Sequence, residues 1–447
     1  MPAFLDKLLK ILRSRRGKDM SFLCDHLLSQ RGEASQTALA QEIINTYTAM
    51  DSAQRLKFYE MLCGAFSPDS KALQRAAANY LKNPNELNLS VLSATVEPPR
   101  QELLRRINTA PHGTETLVAI RKHLLDLPPK SPDVSPLDAD LRHLFRSWFN
   151  RGFLSLRSIT WQTPAFILEK LIRYESVHEI NGWPDLRRRL QTDRRCFAFF
   201  HPALIDEPII FVEVALANGL TGDLEHLLDV NAPVLTSDKV NTAIFYSINN
   251  CLDGLRGIPF GNFLIKQVVA ELTAEFPNME TFCTLSPLPR FSKVLLDHHN
   301  EDGFTPRRLS ALLADYANSL TQAARRRDSV EAFFLLLERP VDHRDVLGAP
   351  LSRLAFAYLT EARQDGKVSD PVAAFHLSNG ARLEGINAFG NLRPYGLKAS
   401  FGITINYRYV PDELEENHER FVAGGKIRIS DALSREHATV KKAWHQD

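Results

Sequence analysis

Few stretches of this 447-residue chain carry residue types that could do chemistry. Ser286 follows the apolar run TFCTL and precedes Pro287 and Pro289. Strand ends are where the sites of open α/β folds gather, but a serine in this setting also reads as the cap of a proline turn. His376, in AFHLSNGARL, is a lone histidine among apolar neighbours, a pattern that a satisfied structural imidazole fits as well. Asp297, His298, His299, Glu301 and Asp302 crowd potential metal ligands together. Adjacent histidines on a polar loop lack the i, i+4 spacing that turns two imidazoles onto one ion, so a solvated loop is the better reading. Cys251 and Cys283 come without a cysteine-nucleophile signature, and buried structural thiols are common. The remaining chemistry is anion binding. CLDGLRGIPFGN carries Gly254, Gly257, Pro259 and Gly261, and a helix beginning near Gly261 and Asn262 presents unpaired N–H groups and a positive dipole end to a phosphate. No Gly-Lys-Ser/Thr follows and there is no GxGxxG, so the stretch reads either as a plain turn or as a phosphate cradle.

The elements around these residues can be read from their periodicity. VNTAIFYSINN, ahead of the turn, is rich in β-branched and aromatic residues and predicts a buried strand. After the turn, Leu264, Val268 and Leu272 recur at i, i+4 and i+8, which predicts an amphipathic helix that Pro277 and Asn278 end. TFCTL is then short enough to be a second strand. Residues 1 to about 150 read as helices with polar joints; the last has Ser135 as its cap and Pro136 at its first position, after the proline-rich connector 127–136. From Leu154 the texture changes. SLRSI predicts a strand, 166–174 and 183–190 helices, and CFAFFHP and PIIFVEVAL strands separated by a loop ALIDE. Helices are expected over Arg307 to Leu320 and Val330 to Leu337. The alternation of Ile403, Ile405 and Tyr407 in GITINYRY suits a half-buried strand. The fold class is α+β: an all-helical domain over 1–150 for packing or oligomerisation, then a mixed α/β domain over 151–447.

Composition narrows the partners. A net charge of +1 gives no general pull toward nucleic acid or an anionic membrane. Arg187–Arg189, Arg194–Arg195 and Arg325–Arg327 are local basic runs, read as solvated faces or as contacts to a phosphate. The five cysteines form no CxxC pair, which fits a reducing compartment and argues against a zinc ribbon. No run of 18 apolar residues suggests a membrane span. MPAFLDKLLKILRSRR lacks the features of a secretory signal, and AWHQD carries no peroxisomal address. A cytoplasmic protein is expected.

The stretch SINNCLDGLRGIPFGNFLIKQVVAELTAEFPNMETFCTLSPLPRF resembles the core of the malonyl-CoA decarboxylase family. Two further blocks match in order, TWQTPAFILEKL with CFAFFHPALIDEPIIFVEVAL and FHLSNGARLEGIN with GITINYRY, together spanning roughly the C-terminal two thirds of the chain. The resemblance implies a helical N-terminal domain and a catalytic domain of GNAT (acetyltransferase) type. It implies conversion of malonyl-CoA to acetyl-CoA and CO₂, in homo-oligomers. It places the catalytic serine of an SLSPIP-like motif on Ser286 and the catalytic histidine of an FHL-x-NG pattern on His376. The malonyl-CoA-binding segment falls on Arg256, Gly257, Ile258, Pro259, Phe260, Gly261 and Asn262. His201 and Glu207 also match. Arg290 stands where the family usually has glycine, and AFGN after Ile386–Asn387 replaces a tryptophan-containing sequence. Because the substrate thioester can itself accept the electron pair left by CO₂, no metal or organic cofactor is expected. The alternatives are a GNAT-type acyl-CoA transferase, which needs an acceptor, and a non-enzymatic CoA-binding scaffold.

Overall fold

The computed structural model describes residues 19–30, 32–236, 239–258, 260, 263–297, 303–364 and 367–445. The chain divides into two compact units that interleave along the sequence. The first takes residues 1–155, 199–209 and 250–261; the second takes 156–198, 210–249 and 262–447.

In the first unit, helices alternate with short capped joints. They are α1 (Met20–Ser29), α2 (Glu33–Thr48), α3 (Ser52–Ala65), α4 (Ser70–Lys82), α5 (Glu86–Val96), α6 (Pro99–Asn108), α7 (Gly113–Leu125) and α8 (Ser135–Trp148). Carboxylates or amides at Asp19, Asp51, Asp69 and Asn85 accept the orphan N–H groups that open α1, α3, α4 and α5. Leu23, Leu39, Ile43, Leu103, Leu104 and Leu117 are sealed from solvent and form the core of this unit. Ser135 is the first residue of α8 rather than its cap. Val134 precedes the helix, and the Asp133 carboxylate accepts the Ser135 N–H at 3.0 Å. Helix α5 buries none of its side chains, leaving Leu87 74% exposed.

Most of an eight-stranded sheet among the described residues belongs to the second unit, with residues 199–209 counted in the first. Its strands are β1 (Ser155–Ile159), β2 (Arg194–His201), β3 (Leu204–Ala217), β4 (Thr242–Asn250), β5 (Thr281–Thr284), β6 (Ser286–Pro287), β7 (Arg382–Asn387) and β8 (Thr404–Tyr409). The order runs β1-β2-β3-β4-β5-β8; β6 continues along the β5 side of β8, and β7 pairs with β8 as well. Helices α9 (Ala165–Tyr174) and α10 (Gly182–Arg189) lie between β1 and β2, α11 (Leu224–Leu228) between β3 and β4, and α12 (Phe263–Glu275) between β4 and β5. Strands β4 and β5 are parallel, as a strand–turn–helix–strand crossover requires.

Three expectations are corrected here. ALIDE is mostly strand, because β2 and β3 are joined by the two-residue turn Pro202–Ala203 and β3 starts at Leu204. The helix expected over 307–320 is interrupted: it ends at Leu313, tightens into a 3₁₀ turn over Ala314–Tyr316, and resumes as Ala317–Ala324. Strand β8 is buried on both faces rather than half-buried. Thr404 and Asn406 occupy the face read as polar, and the chain leading into α11 covers it. Thr404 Oγ1 donates to the Gly222 carbonyl at 3.0 Å and Asn406 Nδ2 to those of Thr221 (3.1 Å) and Thr284 (2.8 Å). Buried polar groups persist when they are paired in this way.

Candidate active site

Ser286 owes its position to an interruption in the sheet. On one side of β8, Arg408 faces Cys283 and Tyr409 faces Phe282; further along, Ile405 faces Ser286 and Thr404 faces Pro287, in unbroken register. Where Thr284 comes opposite Tyr407, a side chain takes over from the ladder, and the Tyr407 N–H donates to Thr284 Oγ1 at 3.1 Å. The Leu285 N–H bonds the Phe245 carbonyl instead. Ser286 therefore sits in its own two-residue strand rather than at the tip of β5. Its side chain shares a face with Ile405 and Tyr407, since directly opposed residues project to the same side. On the other flank of β8, the pairing shifts by one residue between Asn406 and Tyr407, a bulge of the kind that re-aims side chains beside active sites.

His376 arrives from helix α13 (Pro371–Ser378). Pro371 suits the first turn, and the buried Asp370 carboxylate caps the helix by accepting the N–H groups of Val372 (2.9 Å) and Ala373 (3.1 Å). From there His376 Nε2 lies 3.0 Å from Ser286 Oγ, and Nδ1 lies 2.8 Å from the Tyr409 hydroxyl. The imidazole stacks on the Tyr407 ring with centroids 4.8 Å apart and planes 23° from parallel. Ser286 Oγ also donates to Thr284 Oγ1 at 2.9 Å. With the serine proton engaged there, the network assigns Nε2–H as donor to Ser286 and Nδ1 as acceptor from Tyr409. Burial disfavours the imidazolium and pushes the His376 pKa down to about 3, so the ring is neutral at ordinary pH. The result is a buried chain of four groups, Tyr409–His376–Ser286–Thr284, able to donate hydrogen bonds and to pass a proton along it.

The structure brings the two expected residues, Ser286 and His376, together; their partners Thr284, Tyr407, Tyr409 and Asp370 were not singled out from the sequence. The spacing of Tyr407 and Tyr409 in GITINYRY signals a shared face, and Asp370 before Pro371 is a cap signal; neither says what that face or that cap would meet. Arg290 ties its loop down: its N–H donates to Asp370 Oδ2 at 3.3 Å and its guanidinium to the Ser369 carbonyl at 3.2 Å.

The turn after β4 clusters with the first unit and is braced there. Arg121 of α7, held by Asp138 at 2.8 Å, donates to the carbonyls of Gly254 (2.7 Å) and Arg256 (2.8 Å). A Cβ on Gly254 would lie 2.0 Å from the Val118 carbonyl, so this glycine permits the approach of a helix. Gly257 has φ +75°, which L side chains rarely adopt. Among the described residues no hydrogen-bond acceptor takes its N–H. Ile258 and Phe260 are buried, and Arg256 is exposed and paired with Asp253 at 2.8 Å. Pro259, Gly261 and Asn262 lie outside the described residues.

The other candidates have different surroundings or lie outside the described residues. His201 is held in the first unit, with Nδ1 accepting the Ala203 N–H (3.1 Å) and Nε2 donating to the Trp148 carbonyl (3.0 Å). Glu207 is half-buried in β3. Burial raises the Cys283 thiol well above its ordinary pKa, the opposite of an activated nucleophile, and Cys251 is buried beside the turn. His298, His299, Glu301 and Asp302 lie outside the described residues, among which no cluster of three metal-ligating side chains occurs.

Comparison with known proteins places the chain. The family model described as malonyl-CoA decarboxylase C-terminal domain matches residues 152–447, and the one described as malonyl-CoA decarboxylase N-terminal domain matches 66–149. The chain belongs to the malonyl-CoA decarboxylase family. It is 34% identical over 350 residues to the mitochondrial malonyl-CoA decarboxylase of the goose Anser anser anser, covering 75% of this chain and 69% of that one. Against the mitochondrial enzyme of Mus musculus it is 28% identical over 431 residues, covering 91% of this chain and 86% of that one. The crystal structure of malonyl-CoA decarboxylase from Rhodopseudomonas palustris superposes with a TM-score of 0.83 at 42% identity, covering 94% of this chain and 99% of that one. The expected α+β arrangement, a helical N-terminal region followed by a mixed-sheet domain, is thus borne out by the fold and by its malonyl-CoA decarboxylase relatives. The family's C-terminal match takes in Ser286, His376 and the turn at 256–262.

Proposed function

We propose that this chain decarboxylates malonyl-CoA to acetyl-CoA and CO₂, with Ser286 and His376 as its catalytic pair. The observation that carries this reading is the buried 3.0 Å contact between two side chains 90 residues apart, within a member of this family. In the reaction the bond between the carboxylate carbon and the α-carbon breaks and CO₂ leaves. Its electron pair passes into the thioester as an enolate, and a proton completes the methyl group of acetyl-CoA. The protein must supply a donor to the developing oxyanion and a proton for carbon. Ser286 O–H is suited to either task, and His376 Nε2–H stands behind it to replace the proton, itself backed by the Tyr409 hydroxyl through Nδ1. A neutral imidazole suits this work, because the enolate is far more basic than any group in the chain. The thioester is the electron sink, so no step calls on a metal or organic cofactor.

The turn Arg256–Asn262 is assigned to the CoA phosphates, supported by the available N–H of Gly257 and by Arg121 drawing the turn's carbonyls the other way. Among the described residues no helix is long and apolar enough to cross a membrane. The five cysteines are free thiols, four of them buried, which fits the cytoplasmic location we propose. The apolar surface of α5 supports a homo-oligomer.

The test is purified protein with malonyl-CoA and nothing else. Stoichiometric acetyl-CoA and CO₂ are expected. A requirement for an acceptor amine would make the chain a transferase, and no turnover with intact CoA binding would make it a scaffold.

A further inference from the structure

The arginine run at 187–189 is not the solvated face that its composition suggests. Arg188 and Arg189 are buried. Arg188 is clamped on Asp193 at 2.7 and 3.1 Å, and Arg189 reaches Asp185 (3.0 Å) and Glu213 (2.8 Å). Only Arg187 turns outward, and there it borders a cavity of about 540 Å³ within the second unit, remote in sequence from both Ser286 and His376. Trp161, Trp183, Arg188, Gln191 and Asn231 also line it. This size falls within the usual range for small-molecule sites.

Two features of the walls call for a ligand. Trp161 and Trp183 remain 47% and 41% exposed, and their rings meet edge-on at 88° with centroids 6.1 Å apart, forming an apolar corner open to solvent. The corner is pre-formed. Thr160 and Thr163 lock the turn carrying Trp161 through hydrogen bonds at 3.0 and 3.2 Å, and Trp183 rides on α10 one turn before Arg187. The second feature is unspent positive charge. The Arg187 guanidinium hangs 5.2 Å from the Trp161 centroid, and no carboxylate among the described residues pairs with it. Arg188, only 3% exposed, has a buried Nε–H with no partner among the described residues. A buried donor left without a partner is destabilising, and an acceptor brought against it would remove that cost.

We propose that this cavity binds a flat aromatic ring bearing a phosphate, that is, a nucleotide-type ligand. The base would pack in the indole corner and the phosphate would take the Arg187 guanidinium and the Arg188 Nε–H, with the Gln191 and Asn231 amides reading polar edges. Aromatic faces bind flat bases by stacking, and guanidinium groups suit phosphate oxygens. The chemistry is shared by a free adenine nucleotide and by the adenosine end of a further CoA molecule, separate from the one whose phosphates are assigned to the 256–262 turn.

The experiment titrates the full-length protein with AMP, adenosine 3′,5′-bisphosphate, adenosine and inorganic phosphate, reading tryptophan fluorescence. Saturable quenching by the adenosine phosphates is expected, with adenosine and phosphate each binding at least about tenfold more weakly, because each satisfies only one half of the site. Tighter binding of the bisphosphate than of AMP identifies the CoA adenosine end, and the reverse a free nucleotide. Arg187→Gln should weaken binding by about tenfold or more with an unchanged unfolding midpoint. Trp161→Leu should do the same through loss of stacking. The proposal is overturned if no adenosine phosphate quenches saturably, if Arg187→Gln binds as the parent does, or if phosphate alone binds as tightly. Quenching that follows protein concentration rather than ligand would also overturn it, by assigning the corner to contacts between copies.

Discussion

His376 is sealed from water, and that decides how it can act. Its pKa, pushed down to about 3 by burial, leaves one proton on the ring across the whole working range. The pH profile of kcat/KM should therefore show no step near 6.5, the ordinary value for histidine. A step there that vanished in His376→Asn would contradict this account. In the proposed mechanism the Tyr409 hydroxyl, 2.8 Å from Nδ1, holds the tautomer and backs the proton chain. Tyr409→Phe should lower kcat by about tenfold and leave KM near its parent value, since the contact is to the imidazole and not to CoA. Ser286 and His376 were legible because they sit in recognisable motifs. Tyr409 was legible only as one member of an alternating strand, because periodicity reports which face a residue occupies and not what packs on it.

At the scale of elements, strand β4, helix α12 and strand β5 follow the sequence pattern closely, since periodicity specifies them locally. What failed was set by tertiary surroundings. Strand β8 hides polar residues on its second face because the 221–222 backbone offers them partners, and an alternating pattern cannot announce that. The glycine-bearing stretch reads as a plain turn or a phosphate cradle, yet the group that Gly254 admits is the Val118 carbonyl. This yields a prediction for the turn. Arg121→Met removes the guanidinium that holds the carbonyls of Gly254 and Arg256, so the turn should lose its set conformation. KM for malonyl-CoA and Kd for free CoA should both rise by about tenfold, while kcat at saturation stays within a few-fold of the parent. Unchanged CoA affinity by calorimetry would remove the turn from the binding site.

For the molecule as a whole, buried histidines tie stability to pH. His376 and His178 both have pKa values near 3 in the folded chain against 6.5 when unfolded. Below 6.5 the unfolded chain binds protons that the native state refuses, so this stability is complete above 6.5 and falls as pH drops toward 3, by about 1.4 kcal/mol per pH unit for each histidine. Glu213, lifted from 4.5 to about 8 chiefly by burial, acts with the opposite sign between those values. The His376 part is therefore read as a difference: urea unfolding of His376→Asn should show a shallower loss than the parent between about pH 6 and 4. Equal slopes would mean that the ring is not buried neutral. The helical unit makes its own prediction. Leu87 and its apolar neighbours on α5 need a cover, and light scattering should give a multiple of the chain mass that Leu87→Glu with Val91→Glu reduces.

The pair itself is tested most directly by a double-mutant comparison of turnover. Ser286→Ala and His376→Asn should each lower kcat by about 10²-fold or more, the scale of a lost acid–base or oxyanion donor, with CoA still bound. In the coupled pair we propose, each residue works through the other, so the double mutant should be little slower than either single one. Losses that multiply independently would contradict a coupled pair, and near-normal kcat in either single mutant would remove that residue from the reaction.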